Sequence, residues 1–267
     1  CLMHGMEVDY YKKLFQTIGN ILDLIEKDDM PKYLLFLESA FPYMDNYNYH
    51  KGMKEIIQEL KVLLKTKSIG TDSDRALLLD FQAALETQPE KAIKLEKNAL
   101  AQIENITADN ARLVSNLHAN LGGLYRMNGY PDLAREHMEK SISLLDQFNL
   151  LHINDSIPQI ANYAMFLTEQ QEPERGISEL QKLSGIIKEY HSDECLDYAK
   201  VQENLATIYL MTANLSQAKT HFKKAFKIYE KIWADEPEMI EAKYREIQEL
   251  YPQIGFSIGK TLSGLLT

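Results

Sequence analysis

Two stretches decide the reading: Asn120-Leu-Gly-Gly-Leu-Tyr125 and Asn204-Leu-Ala-Thr-Ile-Tyr209. They share a leading Asn, then Leu, a small residue and a closing Tyr, and they lie 84 residues apart. Midway between them stands Asn162-Tyr-Ala-Met-Phe-Leu167. The chain therefore carries an internal repeat of 42 residues, and such a repeat must be found before any other feature is interpreted.

The ruler extends to copies that begin at Ser73, Ser115, Ile157 and Ala199. Position 7 reads Leu79, Leu121, Tyr163, Leu205; position 8 reads Asp80, Gly122, Ala164, Ala206. Position 11 reads Ala83, Tyr125, Leu167, Tyr209, and position 20 reads Ala92, Ala134, Gly176, Ala218. A partial copy from Glu241 puts Ile247 and Tyr251 at positions 7 and 11, and one from Tyr33, two residues out of phase, puts Ala40 at position 8 and Gly52 at 20. Positions 4, 7, 8 and 11 fall on one face of a helix, and positions 20, 24, 27 and 28 on one face of a second. Small residues at 8 and 20 let the two helices approach; large ones at 7, 11, 24 and 28 fill the space between them. Turn signals separate the helices at Asn128-Gly-Tyr-Pro131, Glu172-Pro173 and Ala213-Asn214. Each unit is a helical hairpin that buries its apolar face only by stacking on a neighbour.

This pattern resembles the tetratricopeptide repeat. The resemblance implies an all-α fold, a right-handed superhelical solenoid of antiparallel hairpins. The aromatic usual at position 4 is absent, with Ala76, His118, Ile160 and Gln202 in its place. The 42-residue length is similar to the kinesin light chain subtype, whose longer helices make a deeper groove. The expected organisation is an N-terminal helical segment over 1–30 and repeats over 31–240, at about 33–72, 73–114, 115–156, 157–198 and 199–240. A partial repeat and a C-terminal capping helix follow over 241–267. The periodic face of Tyr11, Leu14, Phe15, Ile18, Leu22 and Ile25 predicts a helix from Val8 to Ile25.

Composition bounds the function. The 267 residues carry 29 Lys and Arg against 39 Asp and Glu, a net charge of −10, which argues against a nucleic-acid or anionic-membrane binder. No apolar run exceeds that of Tyr33 to Leu37, far short of the ~20 residues a spanning helix needs. Two cysteines, Cys1 and Cys195, make no disulfide framework, and a cytoplasmic setting is expected. No His pair at i, i+4 and no Cys-x-x-Cys suggests a metal. No Gly-x-Ser-x-Gly occurs, and Gly255-Phe-Ser-Ile-Gly-Lys-Thr261 lacks the first glycine of a phosphate loop. We expect no cofactor and no catalysis. The lysines at 219, 223, 224, 227 and 231 alternate with Phe222, Phe226 and Tyr229 and read as a solvated outer face.

In the resembled family the ligand lies in a concave groove at positions 2, 5, 6, 9, 12 and 13. The candidate peptide-binding residues are then Asn116, Asn120, Arg126, Asn162, Met165, Lys200, Glu203, Asn204 and Thr207. Asn recurs at position 6. Its amide both donates and accepts, so a ladder of Asn can hold the backbone of an extended peptide whatever its side chains. Lys200 and Asn204 also resemble two members of the carboxylate clamp of chaperone-tail binders, but Asn stands where that clamp needs further basic residues. The expected role is non-catalytic binding of a protein or extended peptide segment. Leu2-Met3-His4-Gly5 is similar to the Met-His-Asp element of nucleotide-switch regulators of the STAND or NB-ARC class, with Gly5 in place of the Asp. That resemblance implies a sensor arm acting on the N-terminal domain of its own longer chain, with His4 toward the nucleotide's phosphate. A peptide-pheromone receptor is a further alternative.

Overall fold

The computed structural model describes residues 34, 36, 37, 40, 50–66 and 70–252. The expected helix from Val8 to Ile25, the Met3-His4-Gly5 element, the Gly255 to Thr261 segment and the capping helix beyond residue 252 lie outside them. Among the described residues there are ten helices and no strand. They are α1 (His50–Thr66), α2 (Asp72–Ala84), α3 (Pro89–Leu100), α4 (Ala111–Met127), α5 (Pro131–Gln147), α6 (Ser156–Glu169), α7 (Pro173–Tyr190), α8 (Leu196–Met211), α9 (Leu215–Ile232) and α10 (Pro237–Leu250). None is long and apolar enough to cross a membrane.

The chain divides into two compact units, residues 1–124 and 125–267, with α4 running across the boundary. In the first, α1 packs on α2 and α2 on α3. Leu34, Leu37, Met53 and Leu60 meet Leu78 and Phe81 in one cluster. A second cluster joins Ala76 of α2, Ala99 of α3 and Leu117 of α4. Thr71 starts α2 with a capping box: its hydroxyl accepts from the Asp74 N–H while the Asp74 carboxylate accepts from the Thr71 N–H.

In the second unit the hairpins α6–α7 and α8–α9 pack internally, and α7 and α6 both touch α8. α6 lies in the middle and buries nine of its fourteen residues. α9 is amphipathic at helical spacing. Ala218, Phe222, Ala225, Phe226 and Tyr229 face inward, while Lys223, Lys224, Lys227 and Lys231 are exposed. Close approach is needed at Gly176, where an added Cβ would stand 2.5 Å from the Ala164 carbonyl oxygen and 2.7 Å from the Thr168 hydroxyl. Position 20 thus admits only a minimal side chain here because α6 lies against it.

The joints of three hairpins, α4–α5, α6–α7 and α8–α9, share one geometry. Gly129, Gln171 and Ala213, spaced 42 residues apart, each take a left-handed backbone, with φ of 76°, 64° and 59°. At each, the next residue's N–H reaches back five residues: Tyr130 to the Tyr125 carbonyl, Glu172 to Leu167, and Asn214 to Tyr209. The left-handed residue itself donates three residues back, to Arg126, Thr168 and Leu210. These are Schellman motifs, which satisfy the carbonyls orphaned at a helix end. Pro131 and Pro173 then begin the next helices, where a missing N–H costs nothing.

Candidate functional site

The first helix of each hairpin carries the expected groove positions. The structure separates the nine candidates by what their side chains already hold. Asn162 on α6 is exposed, and Asn204 on α8 is half-buried. Neither side chain hydrogen-bonds any described residue. Lys200, one turn before Asn204 on α8, is exposed and has no acidic partner among the described residues. Thr207, one turn after Asn204, is half-buried. α6 and α8 touch, so the two amides stand on neighbouring helices.

The other candidates have internal work. Glu203 accepts a hydrogen bond from the Tyr229 hydroxyl at 2.7 Å and pairs with Lys243 at 2.8 Å. It thereby ties α10 to α8 and α9. Burial and the neighbouring Glu203 carboxylate push the Tyr229 hydroxyl well above its ordinary value. Burial works against the charge on Lys243, but the hydrogen bonds and charges of Glu203 and Glu246 outweigh it, so its value is raised. Arg126 grips Glu169 with two parallel bonds, from Nε at 2.8 Å and Nη2 at 2.5 Å. That forked geometry is the strongest an Arg–carboxylate pair makes. Met165 is half-buried and packs on the cluster of Ile160, Leu180 and Leu205. Asn116 is half-buried and engaged with neighbours. Asn120 is exposed, yet its Nδ2 donates to Asp80 Oδ1 at 2.8 Å.

Several polar groupings have no counterpart in the sequence-based expectations. Tyr163 donates to Glu139 at 2.7 Å and accepts from Arg175 at 3.2 Å. Arg135 and Arg175 both bind Glu172, whose carboxyl is held below its ordinary value chiefly by Arg175. This cluster borders a cleft of about 510 Å³ on the α5 and α7 side of the hairpins; α6 contributes Ile160 and Tyr163 to it, not Asn162. Gln202, 2% exposed at the position where an aromatic was absent, donates to Ser184 at 3.1 Å and accepts from His221 Nδ1 at 2.9 Å. With Gln202 Oε1 as acceptor, the His221 proton sits on Nδ1. Burial, and then Lys224, hold His221 below its ordinary value. Cys195 caps α8, its Sγ accepting from the Tyr198 N–H at 3.5 Å.

The most unusual grouping belongs to α2 and α3. Asp80 at position 8 and Glu96 at position 24 hydrogen-bond each other, with Asn120 beside both. Glu96 is 2% exposed, and its Oε2 has no hydrogen-bond partner. Burial first, then the Asp80 charge, push Glu96 up to about 10, so it holds a proton and donates to Asp80. Burial also raises Asp80. The sequence signal was an Asp where the other copies carry Gly122, Ala164 and Ala206, faced by a Glu where they carry Met138, Leu180 and Phe222.

Residues 156–231, which are α6 to α9 almost end to end, match the family model for the tetratricopeptide repeat. No curated protein matches the chain. Among solved structures, a putative kinesin light chain of Podosopora anserina with nearly identical TPR-like repeats is similar at TM-score 0.57. It has 16% identity, over 73% of this chain and 96% of that one. A singly substituted variant of the same protein gives TM-score 0.58 at 16% identity, over 74% and 96%. BtubC (BKLC) from P. vanneervenii gives TM-score 0.52 at 17% identity, over 76% and 74%. Identities this low speak for the fold alone, and the fold they share is the one built above from the 42-residue period. Among the described residues the chain is all-helical with helices packed in adjacent pairs, and residues 156–231 carry tetratricopeptide repeats.

Proposed function

We propose that this chain is a non-catalytic binding module and that α6 and α8 hold an extended protein segment by its backbone. The observation that carries the reading is the unused hydrogen-bonding capacity of Asn162 and Asn204. Both amides stand at the same repeat position on helices that touch. Asn is a poor helix former, so two of them with no internal partner weaken α6 and α8 unless a ligand uses them. Each amide offers two donors and one acceptor oxygen, which matches the alternating N–H and C=O of an extended chain. On α8, Lys200 adds a cation one turn before Asn204 and Thr207 a hydroxyl one turn after it.

Affinity capture from cell extract with the 267-residue chain tests this reading. The wild type and the Asn162→Ala/Asn204→Ala variant are compared, and what is retained is identified by mass spectrometry. A protein held by the wild type and lost from the variant, with the melting temperature unchanged, is the expected result. Partners retained equally by both would overturn the assignment of the ligand to this face.

A further inference from the structure

A buried carboxyl oxygen with no partner costs roughly 1–3 kcal/mol and calls for an explanation. Glu96 is such a case, and it is not alone. Asp80 shares its site, so two acids occupy the places where the other hairpins put a small residue and a large apolar one. A packing role would be served better by the apolar pattern that the chain uses three more times. The charged and titratable groups acting on the pair are its own two members: Asp80 from α2 and Glu96 from α3, with α4 contributing the neutral amide of Asn120. Among the described residues no basic group acts on the pair.

The cluster lies just beneath the surface at Asn120. Asn120 is exposed and Asp80 half-buried, and the Asn120 amide that donates to the Asp80 carboxylate is the part of the cluster at the surface. A donor group that displaces the Asn120 amide takes over the Asp80 Oδ1 acceptor that the amide now holds. Among the described residues no third carboxylate, histidine or cysteine joins the pair, so the donor set is too small for a metal ion. What the arrangement lacks is N–H donors on a cation. A guanidinium presents a planar fork of them and an ammonium three.

We propose that Asp80, Glu96 and Asn120 form a receptor for one cationic side chain, arginine or lysine, presented by a protein partner. The site stands in the first unit and does not depend on what the α6 and α8 amides hold. On binding, the Glu96 carboxylic acid gives its proton to solvent, and both carboxylates then accept N–H donors from the ligand. The Asn120 amide is displaced or shared. One cation enters and one proton leaves, so the site keeps its net charge of −1 while each carboxylate gains N–H donors, without a metal.

The test uses the whole 267-residue chain labelled with ¹³C at its carboxyl groups. N-methylguanidinium chloride is titrated in and carboxyl resonances are followed by NMR, with tetramethylammonium, a cation without N–H donors, as control. Methylguanidinium should move the Glu96 carboxyl to its ionised position, and tetramethylammonium at the same concentration should not. Equal responses to the two cations, or none to methylguanidinium, would overturn the proposal. A second arm compares heptapeptides that differ only in a central arginine or citrulline. The arginine peptide should bind at least tenfold more tightly to the wild type, and within twofold of the citrulline peptide in Glu96→Gln. Equal binding of the two peptides to the wild type would refute a side-chain receptor. Asp80→Asn serves in place of Glu96→Gln should the latter melt early by circular dichroism, and the same loss of preference is expected.

Discussion

The α2–α3 hairpin and the α8–α9 hairpin solve one packing problem in opposite ways. Both bring a position-8 residue of the first helix against a position-24 residue of the second. In α8–α9 these are Ala206 and Phe222, both fully buried and joined to Phe226 and Ile247 in one cluster. In α2–α3 they are Asp80 and Glu96, which share a proton and leave one oxygen bare. The first arrangement gains from apolar burial, roughly 1.5–3 kcal/mol for a side chain such as phenylalanine. The second gives up some of its hairpin's stability to keep two acids out of water. The difference teaches that the repeat tolerates a polar core at one hairpin because its neighbours supply the stability, as expected of an array in which each unit contacts only those beside it.

Three sets of variants would break or sharpen this contrast. The largest effect is expected from Phe222→Ala, which opens a cavity in the apolar hairpin and should cost about 4 kcal/mol in urea unfolding. A loss below about 1 kcal/mol would show that α8–α9 is not held by that contact.

Next comes Asp80→Ala combined with Glu96→Phe, which writes the apolar pattern into α2–α3. Replacing a buried polar pair by packed apolar groups should stabilise by about 2 kcal/mol at pH 7. The same variant should lose a pH dependence that the wild type has. The folded Glu96 value, about 10, lies above its ordinary 4.5. The stability it contributes is therefore complete below about pH 4.5 and drains away as pH rises toward 10. Melting temperatures from about pH 5 to 9 check both points. A wild type that gains stability over that range from this hairpin would reverse the assigned protonation.

The smallest effect lies at the joints. Gln171→Gly and Ala213→Gly each relieve a left-handed residue that Gly129 already accommodates, and each should raise stability by ~0.5–1 kcal/mol despite the looser unfolded chain. Gly129→Ala should lose a similar amount. Equal melting temperatures for all three would show that φ at these joints carries no strain.

Much of the architecture was legible because it rests on features that repeat. The 42-residue period located the helix pairs through apolar spacing, small residues at positions 8 and 20, and turn residues such as Gly129 and Pro173. What did not repeat stayed hidden. Arg126 and Glu203 looked like groove residues by position alone, yet the structure turns them to Glu169 and to Tyr229 with Lys243. Those bonds join residues 26 to 43 positions apart, and no local pattern announces such pairs. The asparagines at position 6 looked equivalent; Asp80, an exception at one position of one copy, sets Asn120 apart from Asn162 and Asn204. Met165 was ambiguous for another reason, since a flexible thioether suits a core and a binding surface alike.

The three Schellman joints have an evolutionary consequence. Their bonds run between main-chain atoms, and the residue at the bend is Gly in one, Gln in the second and Ala in the third. The corner is thus spelled in backbone, while side-chain letters drift around it with modest effect. A gene segment encoding one 42-residue cassette could be duplicated in place and the new copy would arrive with its own working corner. Length would then be the easiest property of this protein for evolution to change, and the chemistry lodged in a single copy, as in α2–α3, the most distinctive thing each copy can acquire afterwards.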